Sequence, residues 1–197
     1  MNEAAAVVAG EAPWELPSRN RVGMVCFIVA ESAMFLIFVV AYLFYLGKSV
    51  YGPTPQQALS LPVVNTVCLL SSSGTIAWAV YALRRGRLAA FAAAWGATAA
   101  LGALFLVGTG REWARLVRHE RLTPTTNLFG TTYYSLVGLH AFHVTVGLIL
   151  LTTVLILTLF GKLHARHSER VDVLALYWHF VDCVWIVVFS VVYVIGR

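Results

Sequence analysis

Five runs of predominantly apolar residues, separated by short polar stretches, constrain this chain more than any other feature. Roughly 20 apolar residues cross the hydrocarbon of a bilayer as a helix. The runs extend from about Val22 to Leu46, Val63 to Leu83, Leu88 to Leu116, Thr131 to Phe160 and Val171 to Ile195. Stretches such as Phe35 to Phe44 are apolar on every side, whereas strands of a membrane barrel would alternate in polarity. A helix satisfies its own backbone hydrogen bonds, as hydrocarbon requires. The expected fold is all-α: an integral membrane bundle of five transmembrane helices over residues 21–197, preceded by an N-terminal cytoplasmic tail over residues 1–20.

Composition agrees. Hydrophobic residues make up 59% of the chain and charged residues 12%, with a mean hydropathy of +0.78. Soluble domains carry about 25% charged residues. No loop is long enough for an extramembrane domain, so any chemistry has to occur within the bundle. Nucleic-acid binding is excluded as a function class, because no soluble basic domain carries the net charge of +5. Residues 1–20 contain Glu3, Glu11 and Glu15 and lack the basic-then-apolar order of a signal peptide. The first helix is therefore expected to insert as a resident helix, with Trp14 as an interfacial anchor. Cys26, Cys68 and Cys183 lie singly within apolar helices, without metal-site spacing, and are expected to be buried, inert thiols.

Five crossings place the termini on opposite sides. The N-terminal side holds eight basic residues: Arg19, Arg21, Arg84, Arg85, Arg87, Lys162, Arg166 and Arg170. The other side holds six: Lys48, Arg111, Arg115, Arg118, Arg121 and Arg197. Basic loops stay cytoplasmic, which favours a cytoplasmic N-terminus and an external C-terminus. The third helix is rich in small residues from Ala89 to Ala103. Close backbone approach drives helix packing in lipid, so this helix is expected to be central or pressed against a neighbour.

An ionisable side chain at bilayer depth costs about 3 kcal/mol or more and needs a reason. Glu31 sits mid-way along the first helix with no basic partner at helical spacing. It serves either as a proton-handling or interface carboxyl, or as a carboxylic acid bonded to another helix. His140 and His143 share one face of the fourth helix, and His179 and Asp182 repeat that spacing on the fifth. Too few ligands are present for a copper site, and a bis-histidine haem site needs facing histidines at matched depth. Interhelical hydrogen bonding is the better expectation, with His179 and Asp182 forming a link across the bundle. Glu112 has Arg115 three residues on and Arg111 beside it, so a local ion pair is expected.

Several segments in order resemble one family. The fifth helix reads Tyr177-Trp178-His179-Phe180-Val181-Asp182-Cys183-Val184-Trp185, the fourth Gly138-Leu139-His140-Ala141-Phe142-His143-Val144. The second opens Leu61-Pro62-Val63-Val64-Asn65-Thr66 and continues Leu69-Leu70-Ser71-Ser72, and Gly130-Thr131-Thr132-Tyr133-Tyr134 leads into the fourth. Over about residues 21–195 the chain resembles cytochrome c oxidase subunit III, with Glu31 and Glu112 at positions where that family has glutamates. It departs by lacking the two N-terminal helices of seven-helix members, like the shorter bacterial form, and by Ala141 in place of a glycine.

The resemblance implies an accessory subunit in a bacterial cytoplasmic (inner) membrane, with no haem or copper of its own. It would pack on subunit I of a haem-copper oxidase, near subunit II and other respiratory subunits, with haem and copper in those partners. It would hold phospholipid and support proton uptake. Lys162, His164, Arg166 and His167 would then hold lipid phosphates, or collect protons through the two histidines. Quinol oxidases and nitric oxide reductases have similar third subunits. A small proton-coupled transporter using Glu31 and Asp182 is a further class, although the inverted repeats and paired Gly or Pro interruptions of transporters are absent. A haem-binding cytochrome using His140, His143 and His179 is another.

An apolar carbodiimide attacks protonated carboxyls in apolar surroundings. It is expected to modify Glu31 ahead of Glu3, Glu11 and Glu15. Peptide mapping that finds label only on tail or loop carboxyls would refute a membrane-buried acid.

Overall fold

A computed structural model describes residues 18–49, 51–162 and 168–196. Its helices are α1 (Arg19–Tyr45), α2 (Pro55–Ala58), α3 (Val63–Arg84), α4 (Leu88–Arg118), α5 (Leu128–Leu159) and α6 (Ser168–Phe189). The last runs on as a π-helical turn, Ser190–Ile195. Five of these, α1, α3, α4, α5 and α6 with its extension, are long and apolar enough to cross a membrane. The expected all-α, five-span bundle is what forms, and each span ends within a few residues of where hydropathy placed it. The short α2 went unforeseen. It lies in the loop between α1 and α3, with Pro55 at its first turn, where a missing N–H costs nothing.

Caps set several ends. Ser18 accepts from the Arg21 N–H at the start of α1. Asn127 accepts from the Gly130 N–H at 2.7 Å, and its own amide donates to the carbonyls of Tyr51 (2.9 Å) and Pro53 (3.3 Å). One side chain thus starts α5 and ties the loop before it to the loop between α1 and α3. A Cβ on Gly130 would stand 2.5 Å from the Thr123 carbonyl, so only glycine fits this corner.

The small-residue helix α4 is pressed along α3, as expected, with Thr75 and Thr98 hydroxyls meeting at 2.7 Å. The central place, however, belongs to α6. It touches α1, α3 and α5, and half of its most apolar stretch is buried, against 11% for α1. The physical reason is Trp178. Its indole lies between Gly102 of α4 and Gly147 of α5, where an added Cβ would come within 2.7 Å of the ring from either side. Its N–H donates to Ser72 of α3 at 2.8 Å. Trp95 and Trp185 fasten levels on either side of it, donating to the Leu151 carbonyl (2.9 Å) and to Thr66 (3.2 Å).

The cysteines differ from expectation. All are free, but Cys26 and Cys183 are exposed and Cys68 half-buried. A thiol is apolar enough to stand on the surface of an apolar helix.

Gly147→Ala should destabilise the chain by about 1–3 kcal/mol, since the rigid indole cannot retreat. Gly138→Ala, whose nearest neighbour would be Trp113 at 3.6 Å, should be close to neutral. Thermal unfolding of both variants in detergent, followed by tryptophan fluorescence, checks this; equal melting temperatures would remove the slot from the account.

Candidate functional site

Glu31, Glu112, His143, His179 and Asp182 gather into three small polar clusters, each joining different helices. The first joins α1 to α5. Glu31 Oε2 lies 3.1 Å from His143 Nε2. His143 Nδ1 lies 2.8 Å from the Leu139 carbonyl one turn back. A carbonyl only accepts, so Nδ1 carries a proton. Glu31 and Nε2 then hold one proton between them, as carboxylic acid and imidazole or as carboxylate and imidazolium. Either arrangement is net neutral, which suits bilayer depth. Phe35 covers the imidazole at 5.0 Å, and the Tyr177 hydroxyl donates to the His143 carbonyl at 3.0 Å.

The second cluster joins α6 to α3. His179 and Asp182 share a face of α6, but they meet on Ser73 of α3 rather than on each other. The Ser73 hydroxyl donates to Asp182 Oδ2 by a short hydrogen bond and lies 3.2 Å from His179 Nδ1. With its only proton given to Asp182, Ser73 accepts from Nδ1–H. Asp182 Oδ1 is buried with no hydrogen bond.

The third cluster joins α4, α5 and the π-helical turn. Tyr193 donates to Glu112, 3.1–3.2 Å from its two oxygens, and accepts from the Tyr133 hydroxyl at 3.3 Å. The expected local pair of Glu112 with Arg115 does not form. Arg115 instead reaches the Ala58 carbonyl (2.9 Å) and Ser60 (3.2 Å), securing α2.

His140 stands apart from all three. It is buried, and neither ring nitrogen has a hydrogen-bond partner. Trp185, Phe105 and Phe35 surround it, with ring centroids at 4.9, 5.7 and 6.5 Å. Interhelical hydrogen bonding therefore holds for His143 and His179 but not for His140, because α1 offers a carboxyl at one depth and only Phe35 at the other. Among the described residues, no three His, Cys, Asp or Glu side chains group as metal ligands. Lys162 ends α5, its N–H donating to the Leu157 carbonyl at 2.9 Å. His164, Arg166 and His167 lie outside the described residues.

Sequence reasoning missed Ser73, Tyr133 and Tyr193. Ser73 was visible as a hydroxyl in an apolar helix. Tyr193 was not, since the π-helical turn rotates it relative to the α-helical repeat.

A family profile described as cytochrome c oxidase subunit III matches residues 5–197. The chain is 40% identical over 183 residues to cytochrome c oxidase subunit 3 of Synechocystis sp., covering 91% of this chain and 77% of that protein. It is 34% identical to cytochrome c oxidase subunit 3 of Bacillus sp. (strain PS3), over 92% of this chain and 88% of the relative. It is 32% identical to quinol oxidase subunit 3 of Bacillus subtilis, over 94% and 93%.

Glu31→Leu leaves His143 Nε2 without a partner and should cost about 1–3 kcal/mol. Glu31→Gln should cost much less, because its amide N–H can donate to neutral Nε2. The double variant Glu31→Leu with His143→Leu should lose less than the sum of the two single changes. Thermal unfolding of the four proteins tests this; a Glu31→Gln chain as unstable as Glu31→Leu would contradict the shared-proton pair.

Proposed function

The chain belongs to the cytochrome c oxidase subunit III family, and from that membership we propose that it is a non-catalytic subunit of a haem-copper terminal oxidase. It packs on the haem-bearing subunit I, with subunit II in the same complex, and stabilises the catalytic subunit and its proton supply. The observation that carries this is how the intramembrane histidines are used. His143 is committed to Glu31, His179 to Ser73, and His140 is enclosed by aromatic rings. These groups hold this chain's own helices together.

Lipid holding has its own support. A groove of about 350 Å³ between α1 and α6, lined by Phe35, Leu36, Val39, Phe180, Val184 and Val187, has walls suited to an acyl chain. The loop of Lys162, His164, Arg166 and His167 is proposed to meet phosphate headgroups. A cytoplasmic N-terminus is proposed from the basic residues, and it gains support from α4. That helix runs to Arg118, which takes Arg111, Arg115 and Arg118 out of the opposite loop. The electron donor is proposed to be cytochrome c. The likeness to a quinol oxidase subunit 3 favours quinol as the second reading.

Gentle detergent purification through a tag on this chain should bring a large haem-bearing subunit with it. Selective removal of this chain should leave the haem spectrum with that subunit and shorten its active life during turnover. A copper-bearing second subunit in the preparation would name cytochrome c as donor. A chain that purifies alone and colourless would defeat the accessory assignment.

A further inference from the structure

A cavity of about 640 Å³ opens between α1, α3 and α6, at the end of the bundle that holds the start of α1. Arg21 of α1, Arg84 of α3 and Glu169 and Asp172 of α6 line it towards the end, and Arg84 pairs with Asp172 at 2.7 Å. His179 lines it deeper in. Its Nδ1 is engaged by Ser73, and its Nε2 makes no hydrogen bond among the described residues. Beyond Ser73 lies Asp182, buried, with Oδ1 unpartnered. Deeper in α1, α3 and α5, the other carboxyl and imidazole groups are Glu31 on α1 and His143 on α5, which face each other, and the enclosed His140. Among the described residues, no cation therefore pairs with Asp182.

We propose that His179, Ser73 and Asp182 form a proton relay that loads the buried Asp182 carboxyl from this cavity. Before loading, His179 is neutral with its proton on Nδ1, and Asp182 is a carboxylate. A proton from cavity water bonds to Nε2. The Nδ1–H bond breaks as that proton passes to Ser73 Oγ, and the hydroxyl's original proton passes to Asp182 Oδ2. His179 ends neutral with its proton on Nε2, Asp182 ends as a carboxylic acid, and one proton has entered. Reversal of the steps returns it. The three groups are joined by hydrogen bonds throughout, so no side chain has to travel. The relay depends only on residues of this chain, not on the identity of its partners.

The test is infrared difference spectroscopy on the full chain in lipid nanodiscs, with the subunits that co-purify, across an acidic pH jump. A protonated-carboxyl C=O band should grow in, and Asp182→Asn should abolish it. Ser73→Ala should keep the band at equilibrium but slow its appearance by about tenfold or more. His179→Ala should slow it likewise, and imidazole, admitted by the cavity, should restore the rate. A purely structural cluster would show neither the slowed loading nor the rescue. The proposal is overturned if Asp182→Asn leaves the band intact, or if Ser73→Ala and His179→Ala both load at the unaltered rate. Should Asp182→Asn fail to fold, the Ser73→Ala rate and the imidazole rescue decide alone.

Discussion

The indole of Trp178 is where four of the five spanning helices are held together. In lipid, apolar side chains gain little by leaving hydrocarbon for one another, so helices associate through close packing and polar contacts. Trp178 supplies both. Its Cη2–Cζ2 edge lies against Gly102 and its Cζ3–Cε3 edge against Gly147, which lack the atoms that would keep the ring out, and its N–H reaches Ser72. A wide aromatic plate between two glycines brings α4 and α5 onto α6 at one depth. The hydrogen bond sets where α3 stands. The small residues of α4 let this plate enter and let α4 run closely along α3, while α6, which carries the plate, becomes the buried centre.

The three polar clusters then act at separate places. His179, Ser73 and Asp182 hold α6 to α3, Glu31 and His143 hold α1 to α5, and Glu112, Tyr193 and Tyr133 hold α4 to α5 and the end of α6. The first helix depends most on its cluster. Its main contacts are with α5 and α6, and among the described residues it buries only Phe35, Val39 and Tyr42. A hydrogen bond that shares one proton suits this place, because both of its proton arrangements carry no net charge into the bilayer.

Much of this was legible in the sequence, and the physics explains which part. The spans were readable because each helix must be apolar along its whole length. Glu31, His143, His179 and Asp182 were readable as costly groups that need partners. Their partners were less so. Glu31 and His143 are 112 residues apart, and the choice of His143 over His140 depends on which side chain of α1 sits opposite each. Helical spacing suggested Arg115 for Glu112, but the extended side chain of Arg115 finds the α2 carbonyl instead. Serine and tyrosine hydroxyls cost little enough in a membrane helix to pass unnoticed, which is why Ser73 and Tyr193 were missed.

The contrast between His140 and His143 shows how the opposing helix decides what an intramembrane histidine does. The two are one turn apart, and sequence treats them as a matched pair. One is bound to a carboxyl, and the other is walled by Trp185, Phe105 and Phe35 with its nitrogens unpartnered. The imidazole in that cage is buried and has no carboxyl within hydrogen-bond distance. His179, by contrast, has one nitrogen in a hydrogen-bond chain and its ring on a cavity. Which partner each histidine finds is therefore set by which helix stands opposite it, and α6, which brings His179 to the cavity wall and Asp182 behind it, is also the helix that Trp178 fixes in place.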